Sequence, residues 1–202
     1  MSEKFKNKYR IPSARLRHWD YGTNAQYFVT ICTALKVCWF GEIINETMEL
    51  SAIGKIAQKY WNDIPTHFPF VQLGAFVIMP NHIHGIIIID KSEYKKVDVA
   101  INVDATVETQ NIASLPSPLL IPSSLSHSPI GNKFGPQSQN LASIVRGFKI
   151  GVTKFAGVNN IEFKWQSRYH DHIIRNEESF QRIEHYIINN PARWLDDVFY
   201  ER

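Results

Sequence analysis

The stretch FVIMPNHIHGIIIID, Phe76 to Asp90, constrains the fold more than any other part of the chain. Two short blocks of aromatic and branched aliphatic residues flank a Pro80-Asn81 turn signal. That pattern suits two buried strands joined by a reversal just before His82. Side chains alternate faces along a strand, so His82 and His84 share one face while Ile83 takes the other. Two imidazoles on one face can converge on a single metal ion, and the apolar residues on either side would hold them rigidly. Paired histidines on a sheet also occur without function, and the spacing alone leaves both possibilities open.

The remaining sequence supplies partners for such a sheet. AQYFVTICTA is an aromatic and β-branched run that suits a first core strand. CWFGEIINETMEL has the form of a short hairpin turning near Asn45-Glu46. Ser51 caps a helix with Ile53, Ile56, Ala57, Tyr60 and Trp61 at helical spacing, and Pro65 lies just past its end. In QNLASIVRGFKIGVTKF, Leu141, Ile144, Val145, Phe148 and Val152 make one helical stripe, with Arg146, Lys149 and Lys154 off it. EFKWQSRYHDHIIRN suits a strand or extended segment at the sheet edge. A final helix runs from Glu177 to about Asn190, with acids in its first turn and Pro191 as its stop. The order strand, helix, strand, strand, helix, strand, helix predicts an α+β fold: an antiparallel sheet with helices packed on one face. At 202 residues the chain is one domain with a sizeable core.

Two segments stand apart. Residues 1–20 form a basic arm, in which Lys4, Lys6, Lys8, Arg10, Arg15 and Arg17 face only Glu3 before Asp20. A charge run of this kind is ordinarily a solvated tail, but Tyr9 and Trp19 interleave here as phosphate-plus-stacking surfaces require. Residues 91–137 form an insertion: between Val97 and Gly131 there is no Lys, Arg or aromatic residue, and SLPSPLLIPSSLSHSP cannot form a regular helix. That central stretch, without cations or rings, is poorly suited to hold nucleic acid, so the insertion is expected to be dispensable for chemistry.

Composition removes several classes. Cys32 and Cys38 are too few for a disulfide scaffold or an all-cysteine zinc site, which makes a reduced, cytoplasmic protein the default. The N-terminal residues lack the apolar run of a secretory signal, and no apolar stretch approaches the ~18 residues that span a bilayer. A net charge of +3 permits a polyanionic partner without demanding one.

The last helix offers what the histidine pair lacks. Phe180, Ile183 and Ile187 form its buried stripe, and Tyr186 and Asn190 project together one turn apart. A phenol and an amide oxygen can thus reach one point. Equally, Tyr186 suits a core-edge aromatic and Asn190 a helix cap before Pro191. Tyr169, in SRYHDH, is the competing phenol, but no candidate ligand lies one helical turn from it.

Taken together, MPNHIHGIIII resembles the His-hydrophobe-His (HUH) motif of the single-tyrosine transposases. WQSRYHDHIIRN and FQRIEHYIINNPARW resemble the tyrosine-helix segment of the same family, specifically of the REP-associated tyrosine transposases related to the insertion-sequence 200/605 type. The resemblance runs from about NAQYFVTICT to NNPARW, excluding the insertion. It implies a ferredoxin-like fold and a metal-dependent endonuclease acting on single-stranded, hairpin-bearing DNA. It assigns His82 and His84 to a Mg²⁺ or Mn²⁺ ion, Tyr186 as nucleophile and Asn190 as third ligand, a position often occupied by glutamine in the family. His172 matches a recurrent family position whose role stays open. The implied reaction leaves a covalent 5′-phosphotyrosine and a free 3′-OH, with the bond stored for strand transfer. Family members act either as monomers with the tyrosine in cis or as homodimers that exchange the tyrosine helix. Arg146, Lys149 and Lys154, with Lys4, Lys6 and Lys8, are the expected DNA-binding cations. The alternatives are a hairpin-binding module that does not cut, a structural zinc site without a matching cysteine pair, and a histidine-triad hydrolase, which would need histidine where Ile86 stands.

Overall fold

The computed structural model describes residues 15, 16, 18–93 and 139–200, with the backbone of two short paired strands, β1 (Lys4–Phe5) and β2 (Lys8–Tyr9). Most of the 91–137 insertion and the side chains of Lys4, Lys6 and Lys8 lie outside the described residues.

Four antiparallel strands build the sheet. β3 (Ala25–Cys32) sits inside it, and β6 (Val71–Ile78) and β7 (His82–Ile89) are the two runs of the histidine stretch. With β8 (His170–Ile174) the order is β6-β7-β3-β8. The reversal at Pro80-Asn81 falls as expected between β6 and β7. A separate hairpin, β4 (Gly41–Ile44) and β5 (Thr47–Leu50), turns through Asn45 and Glu46, both at positive φ (49° and 62°). That is the left-handed pair a tight two-residue hairpin demands.

The helices are α1 (Ala52–Asn62), a single turn α2 (Ile64–His67), α3 (Leu141–Val158) and α4 (Glu177–Ile188), followed by a 3₁₀ segment, Pro191–Asp196. Ser51 Oγ accepts from Gly54 N at 3.1 Å at the start of α1. Asn140 and Ser143 form a reciprocal capping box at the start of α3.

Strand alternation divides the interior in two. Tyr27, Val29, Ile31, Ile83 and Ile87 meet Ala57 and Trp61 of α1 and Ile144, Val145 and Phe148 of α3 in the main core. The opposite face carries Phe28, Ile86 and Ile174 against Phe180, Ile183 and Ile187 of α4. Thus α1 and α3 share one face, as the α+β pattern predicts, and α4 takes the other. Gly85 lets β7 approach the main core closely, since a Cβ there would lie 2.3 Å from Trp61 Cζ2. The result is an α+β, ferredoxin-like arrangement with the histidines on the α4 side.

Candidate metal and tyrosine site

The register of the sheet sets the site. Cys32 lies opposite His82, and Thr30 lies between His84 on β7 and His170 on β8. His82 and His84 are 0% and 2% exposed, with ring centroids 4.5 Å apart.

Each imidazole is held by its Nδ1. His82 Nδ1 is 2.9 Å from Asn81 Oδ1. The Asn81 amide is oriented in turn, because its Nδ2 donates to the carbonyls of Lys36 (3.0 Å) and Phe199 (2.8 Å). An oxygen facing Nδ1 can only accept, so the His82 proton sits on Nδ1 and Nε2 carries the lone pair. His84 Nδ1 is 2.9 Å from Thr30 Oγ1, and its Nε2 is 3.1 Å from Tyr186 Oη. A phenol donates readily, which again puts the lone pair on Nε2 and the proton on Nδ1. Burial lowers the pKa of both histidines to about 3, so both are neutral near pH 7, as metal ligands must be.

The last helix brings the phenol to its own chain's histidine. Tyr186 is 40% exposed, with its ring edge-on to Phe28 at 6.2 Å. Burial raises its pKa above 10, and the Asp197 carboxylate adds to the rise, while the Asn190 side chain opposes it. α4 ends at Ile188 rather than Asn190, with Asn189 as its cap. Asn190 opens the following 3₁₀ turn and is 2% exposed, its Oδ1 without a hydrogen-bond partner.

Asp197 is the residue the sequence reasoning missed. It follows the 3₁₀ turn that starts at Pro191, and nothing in ARWLDD marks one acid over the other. Its Oδ2 lies 3.9 Å from His82 Nε2 with the side chain 3% exposed. Ligand atoms of His82, His84 and Asp197 all lie within 4.8 Å of one another. His82 Nε2 and Asn190 Oδ1 are both buried and unpaired. Imidazole nitrogens, a carboxylate and an unpaired amide oxygen suit a divalent cation, because the donors all offer lone pairs and neutral imidazoles do not balance a buried carboxylate. Phe199 lies against the histidines, its centroid 4.5 Å from His82 and 6.1 Å from His84.

The expected DNA-binding cations are not gathered here. Arg146 and Lys154 are exposed on α3, which covers the opposite sheet face. Lys149 is tied down: its Nζ donates to the carbonyls of Gln166 (3.0 Å) and Arg168 (2.7 Å), and burial lowers its pKa to about 8. Tyr169 is also engaged elsewhere, accepting from Arg15 Nη2 at 2.6 Å. His172 is exposed on β8, opposite Phe28. Among the described residues no helix is long and apolar enough to cross a membrane.

No protein-family model matches the chain. A solved structure of a REP-associated tyrosine transposase bound to a REP hairpin matches with a TM-score of 0.51 at 15% identity, covering 91% of this chain and 74% of that one. A candidate transposase from Deinococcus radiodurans gives a TM-score of 0.40 at 13% identity, covering 88% of this chain and 97% of that one. The first of these likenesses shows a shared fold. In sequence, an uncharacterized protein of Haemophilus influenzae is 40% identical over 189 residues, which span 93% of this chain and 92% of that protein. The chain belongs to the same family as that Haemophilus influenzae protein.

Proposed function

We propose that the protein is a metal-dependent, single-tyrosine (HUH-type) endonuclease and strand transferase that acts on single-stranded DNA carrying a hairpin. The observation that carries this is Tyr186 Oη at 3.1 Å from His84 Nε2, beside a set of inward-facing ligand atoms. The shared fold adds support, since the matching solved structure is a transposase with a REP hairpin bound. His82, His84, Asp197 and Asn190 would hold Mg²⁺ or Mn²⁺, which when bound neutralises charge developing on the phosphate oxygens. Tyr186, 40% exposed, gives its Oη proton to solvent, and the oxygen forms a bond to phosphorus. The bond from phosphorus to the 3′ oxygen breaks, and that oxygen takes up a proton to leave as a free 3′-OH. Asn81 and Thr30 keep both imidazoles in the tautomer that points a lone pair inward. One chain supplies both the tyrosine and the histidines, which favours action in cis.

Replacing Tyr186 with Phe removes one oxygen and leaves the ring against Phe28. The variant should bind a hairpin-bearing oligonucleotide as the parent does, yet give no cleavage and no covalent protein–DNA band on a denaturing gel with Mn²⁺. An adduct formed by Tyr186→Phe but absent from Tyr169→Phe would move the chemistry to the other phenol. The second reading is a hairpin-binding module that does not cut. Burial of both imidazoles, 0% and 2% exposed, favours it, because neither ring is open to a phosphodiester. Absence of any adduct from the parent across divalent metals, with hairpin binding retained, would select this reading.

A further inference from the structure

A cavity of about 570 Å³ wraps the outer edge of β8 and reaches the first turns of α4. β8 pairs with β3 on one side and has no strand partner on the other among the described residues. The cavity is lined by His172, Arg175 and Arg182; the Tyr21 ring closes one side, stacked on Tyr27 with the Arg15 guanidinium over it, and Ser179 Oγ accepts from Arg182 Nη2 at 3.4 Å. Two acids also line it, but the Asp171 carboxylate is 7% exposed and engaged by Arg15 Nε at 3.9 Å, which leaves Glu178. Arg175 makes no ion pair among the described residues.

Placement relates this cavity to the tyrosine. Ser179, Arg182 and Tyr186 follow one another at helical spacing on one face of α4. One turn is about 5–6 Å of rise, comparable with the separation of neighbouring phosphates along an extended strand. His172 projects from the sheet face that carries His82 and His84. The volume suits a single nucleotide, since small-molecule sites span roughly 300–1,000 Å³. Guanidinium groups bind phosphate through paired N–H donors.

We propose that this cavity is a second nucleic-acid subsite, which holds the phosphate of a nucleotide flanking the one attacked by Tyr186 in single-stranded DNA. The proposal rests on Tyr186 being the nucleophile for its position along the strand, but not for its existence as a binding site.

The test compares two labelled oligonucleotides by fluorescence anisotropy over a salt series: a hairpin with a single-stranded flank, and the same hairpin without it. In Arg175→Ala/Arg182→Ala, affinity for the flanked oligonucleotide should fall at least tenfold. The bare hairpin should bind as it does to the parent. The slope of log affinity against log salt for the flanked strand should shrink by about 0.7, from the one phosphate held there. Both arginines are exposed, and a thermal melt checks that the fold is kept; Arg182→Glu alone provides a second variant, with the same flank-specific loss expected. Unchanged binding, an equal loss for both oligonucleotides, or a parent that does not distinguish them would each overturn the subsite. If the parent forms no adduct yet the flank-specific loss is seen, the subsite stands and the nucleophile assignment fails.

Discussion

Thr30→Val tests whether the sheet sets the protonation of His84. Valine keeps the β-branched shape that suits a strand and removes only the hydroxyl. Thr30 is 5% exposed and its Oγ1 is 2.9 Å from His84 Nδ1, so the contact is shielded from bulk solvent. The proton can stay on Nδ1, leaving a buried N–H unsatisfied at a cost of about 1–3 kcal/mol. Alternatively it can move to Nε2, which leaves Nδ1 unpaired and turns the inward-facing lone pair into a donor. Either way the chelator-treated variant should lose about 1–3 kcal/mol of unfolding free energy in urea at pH 7.5. Mn²⁺ affinity measured by calorimetry should fall roughly 10- to 100-fold, the usual cost of losing a partner that orients a metal-binding histidine. A variant with the parent's stability and the parent's Mn²⁺ affinity would refute the tautomer argument. Lost stability with unchanged affinity would reduce Thr30 to a packing residue.

Gly85→Ala drives a Cβ to 2.3 Å from the buried Trp61 ring, so overpacking should cost about 1–3 kcal/mol; an unchanged melting temperature would count against the close approach. His82 and His84 titrate near 6.5 when unfolded and near 3 when folded, so the unfolded chain binds protons first as pH falls. Stability of the metal-free protein should therefore be level above pH ~6.5 and fall toward pH 3, by up to about 1.4 kcal/mol per unit per histidine. A His82→Asn/His84→Asn variant should show a flatter dependence in urea titrations at pH 7.5 and 5.5, and an identical one would contradict the burial argument. Asp197→Asn keeps the shape and removes the charge, so Mn²⁺ binding should weaken at least tenfold by calorimetry, whereas parental affinity would remove Asp197 from the ligand set.

Local chemistry made much of this legible. Period-two spacing put His82 and His84 on one face, and the proline stop and the i, i+4 relation put Tyr186 and Asn190 together near the end of α4. The capping residue Ser51 located the start of α1 for the same reason: caps and turns are short-range events. What stayed hidden depends on distant contacts. Asp197 becomes a neighbour of His82 only because the 3₁₀ turn folds the chain back over β7. Lys149 looked like a surface cation because its spacing takes it off the apolar stripe. Two backbone carbonyls from the segment before β8 claim its ammonium instead, and no periodicity signals that. Placing α4 on the face opposite α1 and α3 likewise required knowing which alternate residues of β8 meet β3.

The 102-residue separation of Tyr186 from His84 bears on when the two side chains come together. The β6–β7 hairpin closes through neighbouring contacts, whereas β8 must find β3 across more than half the chain. Loops of that length close slowly, so the pairing that carries α4 into place belongs to the late stages of folding. A nascent chain that has emerged only as far as β7 already holds both imidazoles but lacks Tyr186. Under the proposed function, ribosome-bound fragments would be unarmed, and the phenol would join the imidazoles only as the last elements dock.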